Sequence, residues 1–243
     1  MQSKEDIIND ILKDIPTSTT IQVELPSECK AYNIDESTIV TLRPMTFEDE
    51  KSLVGTTGED PVNLLLEKCL TGIKVMDLLP MDKLYLIMKL REISYGDDYD
   101  TVLICDHCKA ENPTNIKLSS LNVNPVPDDF TDPSEIFLPT IKKKAKVKLP
   151  RVRDEKILSD PETSLNQLWR FVHEIDGHTD KSIVAAVVDK LPLVDVKTLL
   201  KAFDTDYGLD TKVKLQCGSC GGVSIVELPI TSSEGRAASL FHK

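Results

Sequence analysis

The sequence predicts an α+β protein built from two internally duplicated halves, and a repeat at a fixed offset is the main evidence. Residues 79–108 align without a gap on residues 191–220, which lie 112 positions further along the chain. Nine of the aligned positions are identical, among them Gly96 with Gly208. Each copy also shows the same order of strand hairpin, helices and a hairpin that carries a CxxC pair. Because two copies are too few for an open solenoid, we expect them to pack face to face as a pseudo-dimer that shares one core.

The repeat divides the chain into four predicted segments. These are an N-terminal amphipathic helix (1–19), a first repeat with the first CxxC pair (20–122), a second repeat with the second pair (123–231) and a C-terminal tail (232–243).

The N-terminal segment has the pattern of an amphipathic helix. Ser3 is a candidate N-cap, and Pro16 is expected to end the helix. Apolar residues recur at helical spacing at Ile7, Ile8, Ile11, Leu12 and Ile15. Two interpretations remain open, because this stripe could pack on its own domain or dock into a partner subunit.

The first repeat begins with strands at 21–25 and 38–42, which we expect to form a hairpin. Thr46 is a candidate N-cap for the helix that follows, with Asp49 as the reciprocal capping residue. Further along, Gly96 is expected to close a helix before a strand rises into Cys105. The predicted helices span 47–54, 60–71 and 80–94, and the last two strands span 99–104 and 115–118.

The second repeat is expected to follow the same order. Gly208 is predicted to end the last helix, as Gly96 does in the first copy. Strands are predicted at 136–139, 146–149, 213–216 and 223–228, and helices at 163–175, 179–190 and 193–204.

The two CxxC pairs point to one structural metal site. The four thiols belong to Cys105, Cys108, Cys217 and Cys220. Four thiolates satisfy the tetrahedral coordination of Zn²⁺ and leave no open position for a catalytic water. Residues 109–216 separate the pairs, far more than the roughly 15–20 residues of a compact zinc ribbon. The duplication would bring both hairpins together, so we predict a four-cysteine zinc ribbon that joins the halves.

Other interpretations of these cysteines stay open. The thiols could be reduced and without a ligand, or they could take part in disulfide or thiol-exchange chemistry. A thioredoxin-like motif places CxxC at the start of a helix, whereas here strand-forming residues lie on both sides of each pair. His107 could replace a sulfur, although we expect it to face solvent. Cys29 and Cys69 are predicted to be small buried or half-buried residues.

Composition argues against several classes of function. The formal net charge of −11 argues against broad nucleic-acid binding. No apolar run of about 18 residues predicts a transmembrane helix, and the N-terminus does not have the pattern of a secretory signal. No glycine-rich phosphate loop, nucleophile elbow or HExxH motif occurs. We therefore expect neither an enzyme nor a small-molecule substrate.

Charged residues near two strand-to-helix corners recur between the copies. Arg43 precedes Asp49 and Glu50, and Arg151 and Arg153 precede Asp154 and Glu155. We expect ion pairs within the chain at both corners, and a partner-binding surface is the alternative. One basic cluster comprises Lys142, Lys143, Lys144, Lys146, Lys148, Arg151 and Arg153. We expect the solvated face of a hairpin, with contact to an acidic protein as the next alternative. Nucleic acid comes last, because aromatic residues do not interleave the lysines.

The segment 79–108, together with Leu42-Arg43-Pro44-Met45-Thr46 before it, resembles the baseplate proteins of T4-like contractile-tailed bacteriophages. The group concerned is described as baseplate hub subunits or hub assembly proteins, and the resemblance covers roughly 20–230. It implies a non-enzymatic viral protein that binds other tail or baseplate hub proteins. It also implies a location in the host cytoplasm during assembly, and leaves open whether the protein stays in the virion.

The sequence thus favours an assembly protein with a structural zinc site, without nucleic-acid or membrane partners. The first alternative is a nucleic-acid-associated zinc-ribbon factor, although Asp106, Gly218 and Ser219 supply no positive charge at the turns. The second alternative is a CxxC thiol oxidoreductase.

Overall fold

The computed structural model describes residues 3–12, 20–35, 37–53 and 60–228, which fold as a mixed α+β protein with small antiparallel sheets. The α-helices are α1 Lys4–Leu12, α2 Phe47–Leu53, α3 Pro61–Cys69, α4 Pro80–Tyr95, α5 Glu155–Leu158, α6 Pro161–Asn166, α7 Lys181–Val188 and α8 Leu193–Lys201. The strands are β1 Ile21–Gln22, β2 Thr41–Leu42, β3 Leu70–Thr71, β4 Asp98–Ile104, β5 Glu111–Lys117, β6 Val123–Asn124, β7 Ser134–Leu138, β8 Lys143–Val147, β9 Val172–Ile175, β10 Gly208–Leu209, β11 Lys212–Gln216 and β12 Val223–Glu227.

The two halves share part of their order of elements, although α7, α8 and β10 of the second half stand where the first half has α4. Each contains a three-stranded antiparallel sheet, β1-β2-β3 in the first half and β7-β8-β9 in the second. In each, helices separate the second strand from the third, and a later two-stranded hairpin carries the CxxC turn. This order agrees with a repeat, while descent by duplication stays a prediction.

Most predicted elements of the first half are present. Ile21 pairs with Leu42, which confirms the first hairpin in a shorter form. Asp60 caps α3 through a bond from the amide of Val62, with Pro61 at the first helical position. Gly96 ends α4 with φ +93°, and its amide donates to the carbonyl of Glu92 at 2.9 Å. Gly96 therefore closes the helix as the sequence predicts.

The corner before α2 is held by a bidentate ion pair. Arg43 donates from Nη1 and Nη2 to the two carboxylate oxygens of Asp49 at 2.7 and 3.0 Å. The amide of Thr46 donates to Asp49 at 2.8 Å, and the amide of Asp49 donates to the Thr46 hydroxyl at 3.3 Å. The predicted capping box and the predicted ion pair are both confirmed at this corner.

The corresponding corner of the second half is built differently. Arg151 pairs with Asp132, and Arg153 pairs with Asp77 at 2.6 Å. The Asp154 carboxylate instead accepts from the backbone amide of Arg151 at 2.9 Å. The predicted ion pairs of Arg151 and Arg153 with Asp154 and Glu155 are therefore wrong, because partners distant in sequence take both guanidinium groups.

The predicted helix 163–175 is also wrong beyond its first turns. Helix α6 ends at Asn166, and Val172–Ile175 forms strand β9 against β8. Val172 and Ile175 are buried by this pairing, so packing against β8 overrides the helical spacing of the apolar residues.

The predicted role of Gly208 needs correction as well. Helix α8 ends at Lys201, while Gly208 pairs with Asn124 in a short two-stranded sheet. Gly208 has φ +95°, and a Cβ there would lie 2.8 Å from Cβ of Met81 in α4. Glycine is thus required for close approach to α4, and not for ending a helix.

Buried apolar residues form two clusters, so the single core expected from the sequence is divided. The smaller cluster lies within 138–199. The larger one contains residues of the first sheet, of α3 and α4 and of the first CxxC hairpin, together with Val152. It also contains four residues of the second CxxC hairpin segment, Leu215, Cys217, Val226 and Leu228. The second hairpin therefore packs with the first half.

Helix α1 has a capped start and an exposed apolar side. Ser3 and Asp6 form reciprocal capping bonds at the start of α1, as predicted for Ser3. Ile7, Ile8 and Ile11 are exposed. Residues 13–19 and the predicted tail 232–243 lie outside the described residues. No described helix has the length and apolar character that crossing a lipid bilayer requires.

Replacing Asp49 with asparagine is expected to lower the free energy of unfolding by about 1–2 kcal/mol at neutral pH, because Arg43 loses its anionic partner. The hydrogen bonds from Arg43 hold the pKa of Asp49 at about 2, against 3.8 for an unperturbed side chain. A lowered pKa stabilises the fold above the unfolded-state value, so this contribution is lost as the pH falls from about 4 towards 2. Urea denaturation measures both effects.

Glu48→Gln is the matched control, because it removes a charge from an exposed side chain in the same helical turn. It should change the free energy of unfolding by less than about 0.5 kcal/mol. Equal losses for both variants at neutral pH would show that the ion pair contributes nothing specific.

Candidate metal centre

The four cysteines of the two CxxC pairs meet in space, although residues 109–216 separate the pairs. Their sulfur atoms all lie within 4.8 Å of one another. Cys105 Sγ is 3.8 Å from Cys220 Sγ, and Cys108 Sγ is 3.6 Å from Cys217 Sγ. None of the four forms a disulfide. The convergence of the thiols that the sequence predicted is thus present in the fold.

The spacing of the sulfurs fits a tetrahedral metal ion. With a Zn–S bond of about 2.3 Å, the sulfurs at the corners of a regular tetrahedron are about 3.8 Å apart. The two sulfur contacts of 3.8 and 3.6 Å lie close to this value, and no pair of the four sulfurs is more than 4.8 Å apart. The donor set consists of thiolates alone, which favours Zn²⁺ over the hard cations Mg²⁺ and Ca²⁺.

Both turns use the same backbone hydrogen bonds, displaced by 112 positions. The amide of Cys105 donates to the carbonyl oxygen of Ala110 at 3.0 Å, and the amide of Lys109 donates to the carbonyl oxygen of Cys105 at 2.9 Å. In the second turn, the amide of Cys217 donates to Gly222 and that of Gly221 donates to Cys217, both at 2.9 Å. Lys109 and Gly221 both have positive φ, at +60° and +70°. The turns therefore present their sulfurs in the same way.

The sulfur contacts follow a twofold pattern. Cys105 and Cys217 are buried, whereas Cys108 and Cys220 are exposed. Each of the two short contacts joins the buried cysteine of one hairpin to the exposed cysteine of the other. Exchanging the hairpins converts one contact into the other, which is what pseudo-symmetric pairing requires.

Apolar packing positions the hairpins before any metal is considered. Tyr99 and Leu103 of β4 lie in the same buried cluster as Leu215 of β11 and Val226 of β12. Cys105 and Cys217 belong to that cluster too. The inner sulfurs are therefore held by the core, and the outer sulfurs complete the site at the surface.

Two contacts between the turns were not anticipated from the sequence. Asn112 donates from Nδ2 to Ala110 at 2.9 Å and accepts at Oδ1 from the amide of Gly218 at 3.0 Å, so it bridges the hairpins. Nε2 of His107 lies 3.4 Å from the carbonyl oxygen of Val223, and the imidazole ring packs against Gly222. His107 thus contacts the opposite turn and stands outside the sulfur cluster. Neither contact has a spacing signature in the sequence.

The thiols differ in their readiness to ionise. Backbone amides of Cys220 and Ser219 lower the pKa of Cys217 to about 6. The amide of Ala110 also favours the thiolate of Cys108, but the neighbouring sulfurs of Cys220 and Cys217 raise its pKa to about 12. A negative charge on one sulfur of the cluster therefore disfavours ionisation of its neighbours. A divalent cation at the centre would remove this repulsion and allow all four to ionise.

The remaining cysteines lie apart from this group. Burial raises the pKa of Cys69 to about 11, and burial also raises the pKa of half-buried Cys29. Both residues have the buried or half-buried positions that the sequence predicts.

Taken together, the fold and the site define a mixed α+β protein whose two CxxC hairpins form one four-thiol centre. Residues 17–233 match the family described as T4 bacteriophage base plate protein. This match spans most of the chain, so the protein belongs to that family and the resemblance seen in the sequence is confirmed at the level of a baseplate protein. No curated protein and no solved structure matches the chain.

Purified protein is expected to contain one Zn²⁺ per chain, and Cys108→Ser should lose most of it because three thiolates hold the ion less tightly than four. Elemental analysis measures the content. Cobalt substitution should give the visible absorption of tetrahedral cobalt thiolate. Cys29→Ala is the control and should retain wild-type zinc. Full zinc occupancy in Cys108→Ser would contradict a four-cysteine centre.

Gly222→Ala is expected to weaken zinc binding by about tenfold or more, because its Cβ would lie 2.8 Å from Cδ2 of His107 and 3.3 Å from Sγ of Cys220. Competition with a chromogenic chelator measures the affinity. Removing the imidazole in the double variant Gly222→Ala with His107→Ala should restore much of it.

Gly218→Ala serves as the control within the same turn, since its Cβ would meet only Asn112 Oδ1 at 3.9 Å. It should bind zinc as the wild type does. If Gly218→Ala and Gly222→Ala weaken binding equally, the contact between the turns does not determine affinity.

Proposed function

We propose that this protein acts in assembly of the contractile-tail baseplate hub through protein–protein contacts, with a structural Zn²⁺ held by Cys105, Cys108, Cys217 and Cys220. The family match over residues 17–233 is the observation that carries the baseplate role. The assignment to the hub rests on the motifs that gave the sequence resemblance. Its partners are then other tail and baseplate proteins, met in the host cytoplasm or retained in the virion.

The proposed ion has a structural role in this account. Four sulfurs fill a tetrahedral shell, so no site is left for a water nucleophile. Each CxxC pair lies between two strands, an arrangement unlike the helix-start position of redox motifs. We therefore propose a protein without enzymatic activity.

Zinc would contribute a large share of the stability. Apparent binding free energies of about 10–16 kcal/mol are typical of structural zinc in small peptides, and whole domains are stable by about 5–15 kcal/mol. The ion would connect a hairpin of the first half to the hairpin that ends the second. Its loss should weaken the contact between these two segments before the separate cluster within 138–199 is affected.

Exposed apolar side chains support a role in protein contacts. Ile7, Ile8 and Ile11 lie on α1, and Ile11 is 69% exposed. Val102 and Ile104 of β4 and Ile225 of β12 are exposed on the CxxC hairpins. Of the two interpretations of the N-terminal helix, its exposure favours docking on a partner over packing on its own domain.

The tagged protein, purified from phage-infected cells, is expected to bring down other tail proteins, identified by mass spectrometry. Ile11→Asp should reduce their recovery several-fold without changing thermal stability, because the side chain is exposed. Leu165→Asp is the matched control, since Leu165 is 64% exposed on α6. Recovery of polymerase or ribosomal proteins in place of tail proteins would overturn the assembly role.

A further inference from the structure

The fold divides the basic cluster at 142–153, since three of its lysines pair with carboxylates near their own sheet and three other basic residues line a cleft. Lys143 pairs with Asp176 and Lys144 with Glu135, both at 2.6 Å. Lys146 pairs with Glu174 at 2.8 Å. These acidic partners lie on strands β7 and β9 or directly after β9. The lysines of β8 are therefore compensated within their own sheet region.

Three further basic residues of the cluster line a cleft. Lys148, Arg151 and Arg153 meet Lys74, which comes from a turn of the first half. The cleft has a volume of about 840 Å³. Its apolar lining comes from Tyr32, Ile34, Leu70 and Ile73. Segments from both halves therefore contribute cations and apolar surface to one concave site.

The cleft carries uncompensated positive charge. Arg153 is paired with Asp77, and Arg151 with Asp132. Lys74 and Lys148 have no carboxylate within ion-pair distance among the residues that the structure describes. The charges of Lys74 and Lys148 thus leave the cleft locally positive, although the net charge of the chain is −11.

Arg151 is fixed in place at the base of this site. Its side chain is 6% exposed, Nη2 donates to the carbonyl oxygen of Ala31 at 2.8 Å, and the guanidinium lies 5.3 Å from the centre of the Tyr32 ring. Within the described part of the chain, its buried Nη1 has no hydrogen-bond acceptor. Buried donors are normally satisfied, so Arg151 has hydrogen-bonding capacity that the described part of the chain does not use.

The turn that carries Lys74 has a fixed conformation. Gly72 has φ +93°, and a Cβ there would lie 2.5 Å from the carbonyl oxygen of Ile39. The wall formed by 70–77 is therefore held against the first sheet, and Lys74 projects from a preorganised position.

We propose that this cleft binds an acidic peptide segment of a partner protein that also carries apolar side chains. Its carboxylates would pair with Lys74 and Lys148, and its apolar residues would contact Ile34 and Ile73. A nucleic-acid strand is a poorer match, because its bases need free aromatic rings to stack on and Tyr32 is already covered by Arg151. The inference deepens the proposed function, on which it rests for its biological role.

A fluorescein-labelled peptide of interleaved glutamates and leucines provides the test, with binding to the full-length zinc-loaded protein followed by anisotropy at about 50 mM salt. Lys74→Glu combined with Lys148→Glu should weaken binding by about tenfold or more. Lys143→Glu combined with Lys144→Glu makes the same change in net charge at ion-paired positions outside the cleft. This control should alter the affinity by less than about twofold.

Three results would overturn the proposal: no binding by the wild type, equal weakening by both double variants, or tighter binding of an oligothymidylate of equal charge. Circular dichroism confirms that the variants fold, which is expected because the lysines are exposed. Peptide binding by the purified protein does not depend on tail assembly. A failed peptide test would therefore leave the assembly role intact, and failed recovery of tail proteins would leave the cleft assignment intact.

Discussion

The architecture depends on the packing of two CxxC hairpins into one apolar cluster, which brings four thiols together across a long stretch of chain. Cys105 and Cys217 are at the edge of that cluster, and their exposed partners complete a group of sulfurs within 4.8 Å. Without the shared packing, each pair would be an isolated turn with two donors. With it, the same turns form a complete tetrahedral donor set, so the core determines the chemistry at the surface.

Electrostatics and packing have opposite effects at this centre. Packing draws the sulfurs to distances at which one thiolate raises the pKa of the next, as the raised pKa of Cys108 shows. The backbone amides around Cys217 compensate for a single negative charge. A divalent cation would resolve the remaining conflict, and the four close thiols could hold one.

Sequence reasoning was strongest where chemistry and spacing coincide. The CxxC pairs, Gly96 at the end of α4 and the capping box of Thr46 and Asp49 have local signatures, and the structure contains all of them. It failed where distant partners decide. Residues 172–175 form a strand because they pair with β8, and Arg151 forms its ion pair with Asp132, which is distant in sequence. The contacts that Asn112 and His107 make with the opposite hairpin depend on the tertiary structure, which residue spacing does not reveal. For the same reason, the sequence did not predict that segments 31–34, 70–77 and 148–153 form a cleft.

The crossed arrangement of the thiols has a consequence for biosynthesis. Each short sulfur contact joins one residue near the middle of the chain to one close to its end. A ribosome must therefore translate past Cys220 before any nascent chain possesses the complete donor set. A product that terminates before Cys217 retains two of the four thiols, so a metal ion that needs all four would be held only by chains that extend past Cys220.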